Sequence, residues 1–185
     1  MTFSFKIEVE ITGQTPLLMH RFNIEEYESK VKDKNLTPRQ QAEKFVYQEK
    51  GGRLYLPSDN IYSAIMNAGK MHKDGKSKIT TAKSSKVPWG LRMGSEKSYF
   101  SQPNDWAVDS RAVRSPTTGV RVLCHRPRLE EWILGFSLLL DTTIFSANTI
   151  KTLVIDAGSK VGLCAFRPEC KGMYGTFMIT KWKEV

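Results

Sequence analysis

The first eleven residues alternate polar and apolar side chains, and this period of two constrains the fold more than any other feature of the sequence. Phe3, Phe5, Ile7, Val9 and Ile11 fall on one side of the alternation, with serine, lysine and glutamate between them. A segment with this pattern is typical of a β-strand that is buried on one face only. The N-terminal segment therefore predicts a half-buried strand with one face on a core.

Two later segments carry the apolar spacing of helices. Ser58 or Asp59 can cap the first, and Ser146 can cap the second, for which Gly158 is the predicted stop. A shorter helix is predicted to begin at Pro38. Further strands are predicted at 54–56, 106–113, 120–124, 131–141 and 174–182.

This order of elements predicts an α+β fold. The order β, α, β, β, α, β, with insertions, is that of a ferredoxin-like (RRM-like) fold: a split βαβ antiparallel sheet backed by two helices, with an inserted basic loop and hairpin. A chain of 185 residues fits a single domain, 1–185, with the basic insertion at about 70–105.

The net charge of +9 is confined to the middle of the chain. Residues 70–128 hold thirteen Lys/Arg and four Asp/Glu, whereas 1–69 are balanced at nine and nine and 129–185 at six and six. A basic stripe within one segment is the expected footprint of a polyanion such as nucleic acid, although a lysine-rich surface loop has the same composition. Residues 70–86 are rich in Lys, Ser, Thr and Gly, which predicts a mobile loop.

Arginines and aromatic residues are interleaved after this loop. Arginine forks suit phosphates, and aromatic faces suit unstacked bases, so the combination favours single-stranded nucleic acid over a membrane surface. The candidate nucleic-acid-binding residues of this region are Arg92, Trp106, Arg111, Arg114, Arg121 and Arg126.

Glycines cluster in residues 158–175, between the second long helix and the last predicted strand. A loop of this kind can offer backbone N–H groups and cations to phosphates, although a plain helix-to-strand connection is equally consistent. It has neither the P-loop pattern nor the position of a dinucleotide-binding fingerprint. Its candidate binding residues are Arg167, Lys171 and Tyr174.

Three short motifs lie near both ends and in the middle of the chain. They are the first strand with Gly13-Gln-Thr-Pro-Leu-Leu18, the segment LPSDNIYSAI at 56–65, and Gly162 with Gly172-Met-Tyr-Gly175-Thr-Phe. In the same order, they resemble the opening strand, the "IPGSSLKGALR" helix start, and the C-terminal glycine-rich loop and last strand of the RAMP superfamily of CRISPR proteins. The resemblance is greatest to the backbone subunits of class 1 effector complexes, and it covers about a fifth of the chain.

The resemblance implies RNA binding by subunits stacked along the strand, with a thumb that protrudes from the inserted loop. Cys164 in place of a loop glycine, Asp59 in place of a serine, and the short chain are departures from the family pattern. They leave room for a free-standing or phage-encoded relative.

His20 is the candidate catalytic residue. The related CRISPR-RNA-processing ribonucleases use a histidine after the first strand as general acid or base, and His20 lies in that region. Some family members cut target RNA through a thumb aspartate with a metal ion, and Asp105 and Asp109 flank Trp106, although strand-edge aspartates are more often solvated or paired with arginine. His125 and the three cysteines lack metal-ligand spacing, so no metal or other cofactor is predicted.

The sequence thus predicts a noncatalytic single-stranded RNA-binding protein of CRISPR backbone-subunit type, assembling along RNA in a ribonucleoprotein. The expected partners are single-stranded RNA, with DNA as the alternative, and copies of the chain or other ribonucleoprotein subunits. Two other functions stay open: a metal-independent endoribonuclease using His20, and a protein-interaction module that mimics a CRISPR subunit. No membrane partner is expected, because the longest apolar run is about half a membrane span. Three cysteines without a CxxC pair favour a cytoplasmic location.

Overall fold

The structure, a computed structural model, describes Phe3 and residues 5–22, 36–102, 105–114 and 118–185. The strands are β1 (Phe5–Gly13), β2 (Leu17–Leu18), β3 (Tyr55–Pro57), β4 (Lys73–Asp74), β5 (Ser77–Lys78), β6 (Leu91–Met93), β7 (Lys97–Gln102), β8 (Ala107–Arg114), β9 (Arg121–Leu129), β10 (Ile133–Leu140) and β11 (Phe177–Glu184). The helices are α1 (Pro38–Glu43), α2 (Ser58–Ala68), α3 (Val87–Gly90) and α4 (Ala147–Asp156). No helix within the described ranges is long and apolar enough to cross a membrane.

Six strands form the main antiparallel sheet. Its order is β11–β1–β10, followed by β6 and β7 along the other edge of β10 and by β3 outside β7. β1 lies between β11 and β10, with Ile7 opposite Leu138 of β10 and Glu184 of β11. The predicted alternation is confirmed, since Ile7, Val9 and Ile11 are buried. Sheet and helices together confirm the α+β class.

Helices α2 and α4 supply the other half of the core. They share one apolar cluster with the strands, to which they contribute Ile61, Ala64, Ile65 and Ala68 from α2 and Ile150, Leu153 and Val154 from α4. Burying each leucine or isoleucine of this kind contributes about 1.5–3 kcal/mol. Ser146 caps α4 as predicted, because its Oγ accepts a hydrogen bond from the Thr149 N–H at 3.1 Å.

Two helix ends differ from the prediction. Ser58 does not cap α2: its Oγ lies 2.8 Å from the Oγ of Ser98 in β7, so two buried hydroxyls satisfy each other. α4 does not stop at Gly158 but continues through a π turn, and the chain reverses at Gly162, whose φ is +75°. Gly158 serves close packing instead, because a Cβ there would clash with the carbonyl oxygen of Phe177.

β8 and β9 form a long hairpin outside the main sheet. The pairing runs from Ala107 opposite Arg128 to Arg114 opposite Arg121, and β2 pairs with the other edge of β9. Because β2 follows β1 closely, the hairpin is anchored beside the C-terminal end of β1. Residues 115–117 of the predicted hairpin loop lie outside the described residues.

The segment predicted as a basic insertion has two parts. Residues 91–102 form β6 and β7 and join the main sheet. Residues 70–86 contain a turn and the β4–β5 hairpin, and Ile79 is buried in the core. Lys86 Nζ lies 2.7 Å from Asp74 Oδ2. This part therefore has regular structure and an apolar anchor, where its composition alone indicates a mobile loop.

Candidate nucleic-acid interface

The glycine loop, residues 158–175, lies against β2 beside the hairpin. The N–H of Ala165 donates to the Leu18 carbonyl at 3.0 Å, and the N–H of Gly175 donates to the Pro16 carbonyl at 2.8 Å. Three residues of the loop other than glycine have positive φ: Cys164, Phe166 and Lys171, at +60°, +58° and +61°. Such strained positions occur often where a loop binds a ligand.

One face of the hairpin carries alternating charged residues that meet this loop. Arg111 donates two hydrogen bonds to the carboxylate of Asp109, at 2.6 and 2.5 Å, and a third to the Tyr174 hydroxyl at 3.4 Å. Its guanidinium lies 4.9 Å from the ring centroid of Phe166 and 5.1 Å from that of Tyr174. The Arg128 guanidinium lies 5.2 Å from the same tyrosine ring. Arginine and aromatic groups thus join the hairpin to the loop.

Arg126 lies on the same face but has no such partner. It is directly opposite Asp109 in the register, yet that carboxylate is engaged by Arg111. Its Nε is buried without a hydrogen-bond acceptor, and in the described ranges no carboxylate lies within 4 Å of its guanidinium. It borders a cavity of about 370 Å³ whose lining residues are His20, Tyr47, Asn60, Arg126, Cys164, Ala165, Phe166 and Arg167.

His20 shares this cavity with Arg126. Its ring stacks on Phe45, with the centroids 4.8 Å apart and the planes 15° from parallel. Burial, and then the Arg126 charge, lower the pKa of His20 from its ordinary value of 6.5. The imidazole is therefore neutral at pH 7, and an anion in the cavity would favour its protonation.

The lowered pKa makes stability depend on pH at His20. Because the folded protein binds this proton more weakly than the unfolded chain, the free energy of unfolding falls as the pH drops below about 6.5. We expect His20→Asn to lose less stability than the wild type between about pH 7.5 and about pH 5.5. Thermal unfolding at both pH values checks this. An NMR titration midpoint of His20 above 6.5 would contradict it.

A second cleft continues from the first. Its volume is about 270 Å³, and polar side chains of α2 face the loop across it. Asn60, Cys164 and Arg167 line both spaces, so they form one groove between the hairpin, the loop and α2. The cleft adds hydrogen-bonding groups to the groove: Asp59, Asn60, Ser63 and Asn67.

Four further predicted residues lie on the hairpin or the glycine loop, and they differ in how far other groups engage them. Arg114 and Arg121 are exposed and opposite each other at the end of the hairpin. Arg167 is occupied, since its fork donates to Glu169 at 2.9 and 3.2 Å and to the Cys164 carbonyl at 2.9 Å. Lys171 is exposed, and among the described residues no carboxylate lies within ion-pair distance of it.

Two of the predicted binding residues do not take part in the groove: Trp106 is buried, and Arg92 lies on another part of the sheet. Trp106 is only 6% exposed, with the Arg39 guanidinium 3.5 Å from its ring centroid, so burial of the ring leaves no face that a base could reach. Arg92 is in β6, opposite Leu139 at the far end of β10, and its guanidinium is over Phe3 and donates to the Pro88 carbonyl. The structure thus brings together Arg111, Arg126, Arg167 and Tyr174 but not Trp106 or Arg92.

Several groove residues were not predicted from the sequence. Phe166 is 38% exposed and lies between the arginines and the cavity, and Tyr47 and Asn60 come from distant segments. Asp109 is 7% exposed and neutralises part of the basic face. The sequence already named Asp109 and favoured pairing of such a strand-edge aspartate with arginine, and the Asp-x-Arg spacing, which puts both side chains on one face of a strand, accounts for the Asp109–Arg111 pair.

Metal ligands are not grouped in the described part of the chain. It contains no set of three or more His, Cys, Asp or Glu side chains that could hold a metal ion. His125, which follows Cys124 in β9, is buried and its Nδ1 is 2.7 Å from the Ser110 Oγ. Asp105 is paired with Arg39 at 3.0 Å.

The fold is similar to that of a solved structure. The similar chain belongs to the type III-B Cmr-beta complex bound to cognate target RNA, determined by cryo-electron microscopy, with a TM-score of 0.56 and 12% sequence identity. The match covers 98% of this chain but 60% of that one, so this chain spans about three fifths of its neighbour's length. At this identity the likeness concerns the fold alone. No protein-family model and no curated protein matches the sequence.

Proposed function

We propose that this chain binds single-stranded RNA without cutting it, as a subunit of CRISPR backbone type that assembles along the RNA. The observation that carries the proposal is Arg126, whose buried Nε has no acceptor at the wall of the groove. Arg126 is half-buried, and a buried donor without an acceptor costs free energy, so a site that keeps one on a cation is suited to an anion. The ligand of the groove is then a backbone phosphate, held by the guanidinium of Arg126.

The aromatic and cationic groups around Arg126 support a single strand over a duplex. Phe166 offers an exposed ring beside the cavity, and bases can stack on such a ring only when they are unpaired. Further phosphates meet cations for which the described ranges show no ion pair: Arg21, Arg114, Arg121 and Lys171.

The strand order supports a ferredoxin-like arrangement as part of this proposal. In the proposed arrangement, the six elements are β1, α2, β6 with β7, β10, α4 and β11. The sheet order β11–β1–β10–β7 and the antiparallel pairing agree with a split βαβ fold. The hairpin is then an insertion before the third strand, and the glycine loop joins the last helix to the last strand.

Two further observations support assembly with copies or other subunits. The hairpin ends in exposed apolar side chains, with Val120, Val122 and Leu123 at 60%, 48% and 66% exposure. Contiguous exposed apolar residues mark contact surfaces. The structural neighbour is a chain of a complex described as bound to target RNA, which supports the same role by analogy of fold.

The proposed function predicts RNA binding that weakens steeply with salt. Five cations, the four above and Arg126, are free to neutralise phosphates. A plot of log affinity against log salt for single-stranded RNA should then have a slope of about −3.5. Fluorescence anisotropy with a labelled RNA of mixed sequence measures it, and DNA of the same sequence shows whether the 2′-hydroxyl contributes. Affinity that does not change with salt would contradict the proposal.

Cleavage of RNA is the second candidate function, favoured by the neutral His20 beside Arg126. A neutral imidazole can accept the proton of a 2′-hydroxyl, and the neighbouring guanidinium can stabilise the phosphate. Incubation of RNA with the protein in EDTA separates the two functions. Intact RNA agrees with binding alone, whereas cleavage that is lost in His20→Ala would assign the groove to an endoribonuclease. A monomer that binds neither RNA nor DNA would instead favour a protein-interaction module.

A further inference from the structure

The face of the main sheet that α2 and α4 leave uncovered carries a row of side chains with one gap. Lys181, Glu10, Gly135, Tyr99 and Tyr55 are directly opposite one another on β11, β1, β10, β7 and β3. Gly135 leaves the row without a side chain between the Glu10 carboxylate and the Tyr99 ring. Neighbouring strands are about 4.8 Å apart, so the strands of Glu10 and Tyr99 are separated by about 10 Å.

Among the described residues, none requires glycine at position 135. Its φ is outside the left-handed region, and a Cβ added there would meet no atom within 4 Å. Gly135 and Ser137 instead line an open depression of about 570 Å³. Glycine inside a strand weakens it and often marks the close approach of a ligand. A ligand that lies on Gly135 accounts for the missing side chain.

One wall of the gap is a stacking surface that is already ordered. The Arg53 guanidinium lies over the Tyr99 ring, 3.9 Å from its centroid. The Tyr99 hydroxyl donates to Glu49 Oε1 at 2.9 Å, and Lys97 Nζ is 2.9 Å from the same oxygen, so the ring is held in place. Guanidinium planes and aromatic rings both stack on unpaired bases.

The charge around the depression favours a polyanion. Five cations line it, against two glutamates. Three of the cations are paired with glutamates at 2.9 Å. The other two, Arg53 and Lys183, have no carboxylate within 4 Å in the part of the chain that the structure describes. They come from opposite sides of Gly135, where they can meet the phosphates on either side of a base.

We propose that this face is a second contact for RNA, with one unstacked base lying on Gly135 against the Arg53–Tyr99 pair. The inference rests on the proposed function, because the same single strand would touch both the groove and this face. It names a base-stacking site, whereas the groove at Arg126 binds phosphate.

Gly135→Val tests the inference because it fills the gap without disturbing the fold. Valine is a good strand residue and its Cβ has free space, so the melting temperature should not fall. Affinity for a labelled single-stranded RNA of mixed sequence should fall at least about fivefold, the scale of one lost base stack. Ser101→Val is the matched control, since Ser101 is exposed on β7 but does not line the depression. Arg53→Gln should weaken binding as well.

Each result of this comparison decides between the two proposals. If Gly135→Val binds RNA as tightly as the wild type while Arg126→Gln binds it more weakly, the face does not hold a base and the proposed function stands. If the wild type binds no RNA, the proposed function fails. A Gly135→Val protein with unchanged RNA affinity but altered oligomeric state would assign the face to protein contact and overturn the inference. If valine prevents folding, Gly135→Ala and Arg53→Gln provide the same test.

Discussion

Replacing Arg126 with glutamine should weaken binding to single-stranded RNA by about 10- to 100-fold without lowering the melting temperature. The affinity falls because a phosphate loses its hydrogen bonds to a charged donor. Stability is maintained because the wild-type guanidinium has a buried Nε without an acceptor. Glutamine thus replaces a cation that nothing in the described chain neutralises. Fluorescence anisotropy and calorimetry measure the two effects separately.

Arg128→Gln is the matched control for this prediction. Arg128 is two residues along the same strand and on the same face, and its substitution removes the same charge. The Nε of Arg128 is also buried without a hydrogen-bond acceptor, but its guanidinium forms an ion pair with Glu130, to which Nη2 donates at 2.9 Å, and it lies over Tyr174. We expect Arg128→Gln to lower the melting temperature and to affect RNA binding less. Equal losses of affinity in both variants would mean that binding depends on overall charge and not on the unpaired guanidinium.

Asp109→Ala should destabilise the protein by about 3 kcal/mol. Asp109 is 7% exposed and accepts two hydrogen bonds from Arg111, which raise the pKa of that guanidinium further above its ordinary value. Alanine therefore leaves a partly buried cation that cannot lose its proton. Urea unfolding measures the change in the free energy of unfolding.

A double-mutant cycle isolates this ion pair from the packing around it. Once Asp109 is gone, removal of the Arg111 cation should cost less, so the combined alanine variant should be less destabilised than the sum of the single variants. Asp109→Asn, which keeps the shape and loses the charge, should fall between wild type and alanine. A loss below about 1 kcal/mol for Asp109→Ala would mean that the pair acts as an exposed salt bridge.

The strands and helices with a clear periodicity of apolar residues were predictable from the sequence. The groove was predictable only in part. The alternation of polar and apolar residues predicts that Ile7, Val9 and Ile11 are buried in the core. The cap at Ser146 was also predictable, because Ser146 and Thr149, which form it, are only three residues apart. Arg126 was found because basic residues cluster along the chain. That it is unpaired is set by Asp109, whose carboxylate binds Arg111 across the same face. The pairing depends on side-chain geometry, which composition does not determine.

Contacts between distant segments account for the differences from the prediction. The sequence cannot distinguish a buried tryptophan from an exposed one that stacks on a base. Trp106 is covered by Arg39, which lies 67 residues earlier in the chain. Ser58 has the residue type of a helix cap, but Ser98 offers its hydroxyl a buried partner. His20 and Arg126 meet because β2 pairs with the hairpin beside the glycine loop, and no local pattern reports that distance.

The position of β1 between two C-terminal strands has a consequence for how the protein folds. β1 comprises residues 5–13 but is hydrogen-bonded on both edges to strands far along the chain, at 133–140 and 177–184. During synthesis, the apolar face of β1 stays exposed and the backbone groups at both of its edges stay unpaired until residues 133–140 and 177–184 have left the ribosome. Such long-range pairing slows folding and leaves an open strand exposed to aggregation in the meantime. A ribosome-bound chaperone that shields the nascent segment around Ile7 would therefore raise the yield of folded protein more than one that acts after release.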